Sequence, residues 1–267
     1  MDKIIMLGTG NGGTIDLFNT CFVIQNQSGN FLVDTGGSIE IIKRLTEANI
    51  DYKSLRHIFI SHSHTDHILG LFWYFKKISR EIMHGEIKER ITVYCNDVVF
   101  SAIKEVSKQI LPAKLVSVIF ENVDFKILQN GDKYIINDIE YEFFDILAKG
   151  TKQFGFKCLL NNKKVAFLGD ETLNPALYES IRNYDYVMHE AFCLEAEENI
   201  FHAYEKNHST TKSVSEVMNN LGIKNLILYH TEDSHKENRK ALYTKEAQTY
   251  FNGNIIVPDD MESIYII

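Results

Sequence analysis

Short apolar runs alternate with turn-forming clusters over the first 35 positions. The pattern predicts strands at Lys3–Leu7, Cys21–Gln25 and Phe31–Asp34, with glycine-rich turns at Gly8–Gly13 and Ser28-Gly29 between them. A helical stretch follows, with Ser38 as its cap and an apolar face of Ile39, Ile41, Ile42 and Leu45 running to a break near Asn49. His57–Ile60 reads as a strand ending in a histidine-rich turn, and Ile68–Lys77 as a buried helix. Strand and helix then alternate through Ile91–Tyr94 and Val98–Ile110, the latter capped by Asp97. Residues 115–168 read as short strands, with turn signals at Asn130-Gly131, Asn137-Asp138 and Asn161-Asn162. Val214, Val217, Met218 and Leu221 fall at helical spacing between Thr210 and Gly222. A strand at Asn225–Tyr229, a helix near Asn238–Tyr250 and strands at Ile255–Val257 and Ser263–Ile267 complete the pattern.

A β-rich half followed by helix, then a second β-rich half followed by helices, fits two sheets packed face to face with helices outside. This is an αββα sandwich of the α/β class rather than a single parallel sheet. Only Pro112, Pro175 and Pro258 occur and no linker interrupts the chain, so residues 1–267 are expected to form one domain.

Composition narrows the function. A chain with 45% hydrophobic and 24% charged residues can bury a large core, which excludes disordered and collagen-like classes. The formal charge of −8 provides no overall positive field, which argues against DNA and membrane partners. Cys21, Cys95, Cys158 and Cys193 lie far apart and are expected to be reduced core thiols. Met1-Asp2-Lys3 runs into an apolar stretch too short for a signal peptide, and no later run approaches a membrane span, so a cytoplasmic location is expected.

Gly8-Thr9-Gly10-Asn11-Gly12-Gly13 contains the spacing of a dinucleotide-binding loop, with Asp34 beyond it. That reading requires a helix after the glycines to receive the pyrophosphate. Thr14–Asn19 shows no helical stripe.

The chemistry concentrates at Ser61-His62-Ser63-His64-Thr65-Asp66-His67, at the end of the apolar strand Ile58–Ile60. Histidines two apart can converge from a turn on one ion, and the adjacent Asp66 and His67 can face a second. A chance polar loop would not place three imidazoles and a carboxylate there in a chain of ten histidines.

His62-x-His64-x-Asp66-His67, preceded by Phe31-Leu32-Val33-Asp34-Thr35-Gly36-Gly37, resembles the signature of the metallo-β-lactamase superfamily, whose fold is the αββα sandwich. The likeness extends to Leu7-Gly8-Thr9-Gly10, Gly169-Asp170-Glu171 and His230. His189-Glu190-Ala191-Phe192 and His208-Ser209-Thr210 are similar to elements of its ribonuclease Z-like branch. The resemblance implies two zinc ions, with manganese or iron as alternatives. His62 and His64 would hold the first, Asp66, His67 and His230 the second, with Asp170 bridging. It implies a metal-activated hydroxide whose proton Asp66 accepts, His208 protonating the leaving group, and Glu190 orienting His208. Asp34 is expected to hold a ligand histidine by its far nitrogen, and His189 to be structural.

Two departures qualify the resemblance. Aligned on Phe154-Gly155-Phe156, Leu147 occupies the position of a further ligand histidine, so the first ion should bind more weakly. Asp145 or Lys149 is expected to supply any polar contact there. Leu147 and Asp170 are only 23 residues apart, leaving no room for the protruding arm with which ribonuclease Z grips transfer RNA. The expectation is a metal-dependent phosphodiesterase acting on a small or short phosphodiester or RNA. The alternatives are an acyl hydrolase of thioesters or lactones, and a metal-binding module of little turnover. The run Leu69–Phe75 leaves core packing and a homodimer contact both open.

Overall fold

Side chains of Lys3–Gly8 (β1) alternate between two apolar environments: Ile4 and Met6 pack into one core, Ile5 and Leu7 into another. Strict two-residue alternation of this kind is what a sheet covered on both faces requires. The computed structural model describes residues 2–267 and shows two seven-stranded sheets.

The first sheet takes β1, Cys21–Asn26 (β2), Gly29–Val33 (β3), His57–Ile60 (β4), Ile91–Cys95 (β5) and Val123–Ile127 (β6) in that order. The second contains Lys133–Ile136 (β7), Ile139–Asp145 (β8), Phe154–Leu160 (β9), Lys163–Phe167 (β10), Tyr186–Glu190 (β11), Asn225–Tyr229 (β12) and Asn254–Ile256 (β13). The last strand, Ser263–Tyr265 (β14), returns to the first sheet and pairs antiparallel with β1.

Between the sheets, Phe31, Phe59, Tyr141, Phe143, Phe156 and Phe167 form a core of interlocking rings, with Phe59 and Phe143 centroids 5.1 Å apart. Edge-on aromatic packing adds about 0.5–1.5 kcal/mol per pair to the burial of the rings. Helices Glu40–Glu47 (α1), Thr65–Met83 (α2), Asp97–Ile110 (α3) and Ala113–Asn122 (α4) lie on the first sheet's outer face. On the second lie Tyr178–Ile181 (α5), Thr211–Asn220 (α7) and Arg239–Tyr250 (α8), with the short Glu198–Phe201 (α6) near a small cluster around Phe192. The αββα expectation holds.

Four local expectations need correction. Residues 115–122 are helical rather than extended, because Leu115 and Ile119 stack one turn apart against the α2 side of the core. The cap of α3 is Asn96, whose side chain accepts the Val99 N–H at 3.0 Å; Asp97 is the first helical residue. Helix α1 begins after Ile39, although the Ser38 hydroxyl does accept the Glu40 N–H. Helix α2 starts at Thr65, directly at the histidine-rich turn, and not at Ile68. Within it Leu71, Phe72, Tyr74 and Phe75 are buried while Trp73 is exposed. All four cysteines are free and buried.

Strands β3 and β4 run parallel in one sheet, and β10, β11 and β12 run parallel in the other. Their carboxyl ends carry Asp34, Ser61–His67, Gly169-Asp170, Glu190 and His230. A crevice beyond strand ends is where side chains from separate segments can meet without interrupting the ladders.

Candidate metal centre

Two groups share Asp170. Ligand-type atoms of Asp66, His67, Asp170 and His230 all lie within 4.8 Å of one another, as do those of His62, His64 and Asp170. Asp170 Oδ2 lies 3.2 Å from His67 Nε2, 3.3 Å from His230 Nε2 and 3.4 Å from His62 Nε2. Asp66 Oδ2 is 3.2 Å from His67 Nε2 and 3.4 Å from His230 Nε2. All six residues named from the sequence as ligands therefore converge, although His230 is separated from His62 by most of the chain.

The imidazoles are oriented from behind. Asp34 Oδ2 stands 2.8 Å from His67 Nδ1, and a carboxylate can only accept, so that nitrogen carries the proton. The Ser61 hydroxyl donates to the same carboxylate at 2.7 Å, which leaves its lone pair for His62 Nδ1–H at 3.0 Å. One aspartate thus fixes both rings, directly and through a serine, and turns both Nε2 atoms inward. Those two nitrogens and Asp170 Oδ1 are buried without hydrogen-bond partners among the described residues. Orphaned buried atoms are costly, and a divalent cation in each group would satisfy them. The donor set of imidazoles and carboxylates suits zinc.

Backbone strain accompanies this arrangement. Asp34 and His230 both adopt left-handed φ of 56°, a conformation that costs about 1–3 kcal/mol in non-glycine residues and persists where surrounding contacts enforce it. Tyr229 OH donates to the Gly169 carbonyl, tying the strand before His230 to the turn before Asp170.

Charge follows packing. Burial drives the His62 ring well below the usual histidine range. For His67 burial works the same way, but the carboxylates of Asp66, Asp34 and Asp170 overcome it and push the ring well up. Burial would raise Asp66 and Asp170; the neighbouring histidines hold both carboxyls far below the ordinary range instead.

Beside the second group, Glu190 Oε2 lies 3.5 Å from His208 Nδ1, while its Oε1 accepts the Ser209 N–H. Burial disfavours a charged His208, yet the Glu190 carboxylate raises it to about 9. Phe192 stacks on the His208 ring at 4.5 Å with planes 8° apart. Phe192 carries no separate signal of this role along the chain, because stacking pairs residues from different loops.

The glycine-rich loop also belongs here. No helix follows it, as expected, and Gly10 instead bridges to Thr231, the neighbour of His230. A Cβ at Gly12 would lie 3.1 Å from the Asp66 carboxyl, so that glycine lets the loop approach Asp66 closely.

Other histidines stay apart. His189 is buried with Nδ1 2.8 Å from the Glu190 carbonyl, and His235 pairs with Glu197 at 2.5 Å. His57 faces the Tyr94 hydroxyl at 3.3 Å, while His84 and His202 are exposed. Leu147 is not on the strand with Asp145 but beyond its end, in a left-handed loop with φ 58°. Asp145 turns back to accept the Leu147 N–H at 2.8 Å, and only the backbone of Lys149 makes a hydrogen bond there, so neither residue supplies the polar contact anticipated at the first group.

Paired seven-stranded sheets with this cluster at one rim define a metallo-β-lactamase-fold protein of the ribonuclease Z-like kind. The chain is 24% identical to "Ribonuclease Z" of Archaeoglobus fulgidus, over 97% of its own length and 96% of that protein. Its fold is similar to that of the metallo-β-lactamase fold protein YhfI from Bacillus subtilis, with a TM-score of 0.76 at 15% identity, covering 99% and 100% of the two chains. Zinc-bound PqqB from Methylobacterium extorquens gives a TM-score of 0.76 at 9% identity, covering 99% and 100%. Residues 2–252 match the family described as Anti-Pycsar protein Apyc1, and the chain belongs to that family.

Proposed function

We propose that the chain is a metal-dependent phosphodiesterase acting on a small or short phosphodiester or RNA, in a single domain and in the cytoplasm. The observation that carries this reading is the Glu190–His208 pair set 3.5 Å apart beside the Asp66–His67–Asp170–His230 group. An acyl hydrolase would not need that second acid. The name of the ribonuclease relatives supports phosphodiester chemistry, and among the described residues no helix is long and apolar enough to cross a membrane.

In this reading His62, His64 and Asp170 hold one zinc ion, Asp66, His67, His230 and Asp170 a second. When bound, the pair supplies an acidified shared water and takes up charge on the phosphate oxygens. The Asp66 carboxylate, with Oδ2 3.4 Å from His230 Nε2 and 3.2 Å from His67 Nε2, is placed to accept the proton of the attacking water. His208, kept protonated by Glu190, delivers a proton to the departing alkoxide, and the Phe192 ring keeps its imidazole plane fixed. The first position has three side-chain donors against four at the second, which supports weaker binding there. Trp73 on α2 is exposed with Ile39 on one side and Ile110 on the other, an apolar surface that supports a homodimer contact through that helix.

Hydrolysis of bis(p-nitrophenyl) phosphate with added Zn²⁺ or Mn²⁺ tests the reading. Turnover that disappears with chelator is expected; no turnover with any metal across pH 6–9 discards it.

A further inference from the structure

The loop at residues 146–152 joins β8 to β9, and its base is bonded to the segments that carry the first metal position. Phe154 N–H donates to the Ser61 carbonyl at 3.0 Å, one residue from His62. Asn96 Nδ2 bridges the carbonyls of Ser61 and Lys152, at 3.3 and 3.0 Å. On the opposite flank Gln153 Oε1 accepts the Asp170 N–H at 3.3 Å. The base of the loop is therefore fixed to both segments that carry the first position's buried donors. No side chain of the loop joins those donors.

The tip is held differently. Glu171 directly follows the shared aspartate and is 6% exposed. Its Oε2 accepts the Lys149 N–H at 2.7 Å and its Oε1 the Gly150 N–H at 3.0 Å. Gly150 permits this approach, since a Cβ there would lie 2.8 Å from Oε1. A buried carboxylate taking two backbone amides makes charge-assisted bonds, roughly twice as strong as neutral ones.

We propose that Glu171 is a positioning residue that locks the 146–152 loop beside the first metal position through two backbone amides, a tether that a metal-ligating loop side chain would otherwise supply. The lock couples the loop to the turn that aims Asp170. The tether stands apart from the phosphodiesterase reading; its effect on substrate binding rests on that reading.

Glu171→Gln has one acceptor oxygen and sets an NH₂ against the second amide. In the zinc-loaded protein, hydrogen exchange at Lys149 and Gly150 should accelerate about tenfold or more, with new tryptic cleavage after Lys149 and Lys152. KM for bis(p-nitrophenyl) phosphate should rise about fivefold while kcat stays within about twofold. Gly150→Ala should reproduce the local exchange change with the carboxylate intact. Unchanged exchange at both amides in both variants overturns the lock, and so does acceleration spread evenly over the chain. Faster loop exchange with unchanged KM overturns its role toward substrate. A protein inert toward phosphodiesters removes the KM arm together with the proposed function, and exchange alone then decides the tether.

Discussion

Asp34 Oδ2 and His67 Nδ1 stand 2.8 Å apart at the ends of different segments, and the same oxygen receives the Ser61 hydroxyl at 2.7 Å. A single carboxylate therefore sets the tautomers of two histidines. Asp34→Asn keeps the shape but sets an NH₂ either against the Ser61 N–H, which Oδ1 accepts at 2.8 Å, or against the two donors that meet at Oδ2. Zinc affinity should fall about 10–100-fold, as loss of a partner behind a ligand histidine does. Competition with a fluorescent chelator measures it, and unaltered affinity would mean the rings are aimed by other contacts.

The pair Glu190–His208 predicts an alkaline limit. Because His208 is raised to about 9, it stays a proton donor through neutral pH and loses that capacity as pH rises through about 9. Its contribution to folding has the same sign: present below the ordinary histidine value of about 6.5, and lost on passing through about 9. Glu190→Gln should move the alkaline limb of kcat down in pH. A limb that stays in place assigns the proton donor elsewhere.

His208→Ala should lower kcat about 10²–10⁴-fold for esters with alkoxide leaving groups. The fall should be much smaller for p-nitrophenolate, which departs without a proton. Equal losses on both ester types would remove His208 as the leaving-group acid.

Gly12→Ala should set a methyl 3.1 Å from the Asp66 carboxyl and displace it. We expect kcat/KM to drop about tenfold or more, because sub-ångström shifts of a reacting group are amplified in rate. The melting temperature should barely change, since Gly12 is solvent-exposed. Full activity in this variant would show that the loop gives way instead of Asp66.

Zinc titration should resolve a tight and a weak site, matching four donors against three. Equal filling at limiting zinc contradicts this. Leu147→His should strengthen the weaker site only if the Glu171-held loop can turn the new ring inward; no change would indicate that the loop is too firmly held.

Local chemistry made much of this protein legible in its sequence. The short apolar runs of β1 to β5, the turn residues Asn137, Asp138, Asn161 and Asn162 and the Thr210 cap all act within a few residues. His62, His64, Asp66 and His67 announce themselves because one turn carries all four. Residues 115–122 misled, since an apolar run of that length fits a strand or a helix until the sheet beneath it is known. Asp34 shared between two histidines, Phe192 stacked on His208, Gly12 against Asp66 and Glu171 gripping the 146–152 loop were decided by tertiary structure alone. Each joins groups that chain connectivity leaves independent, and their meeting depends on how two sheets align at one rim.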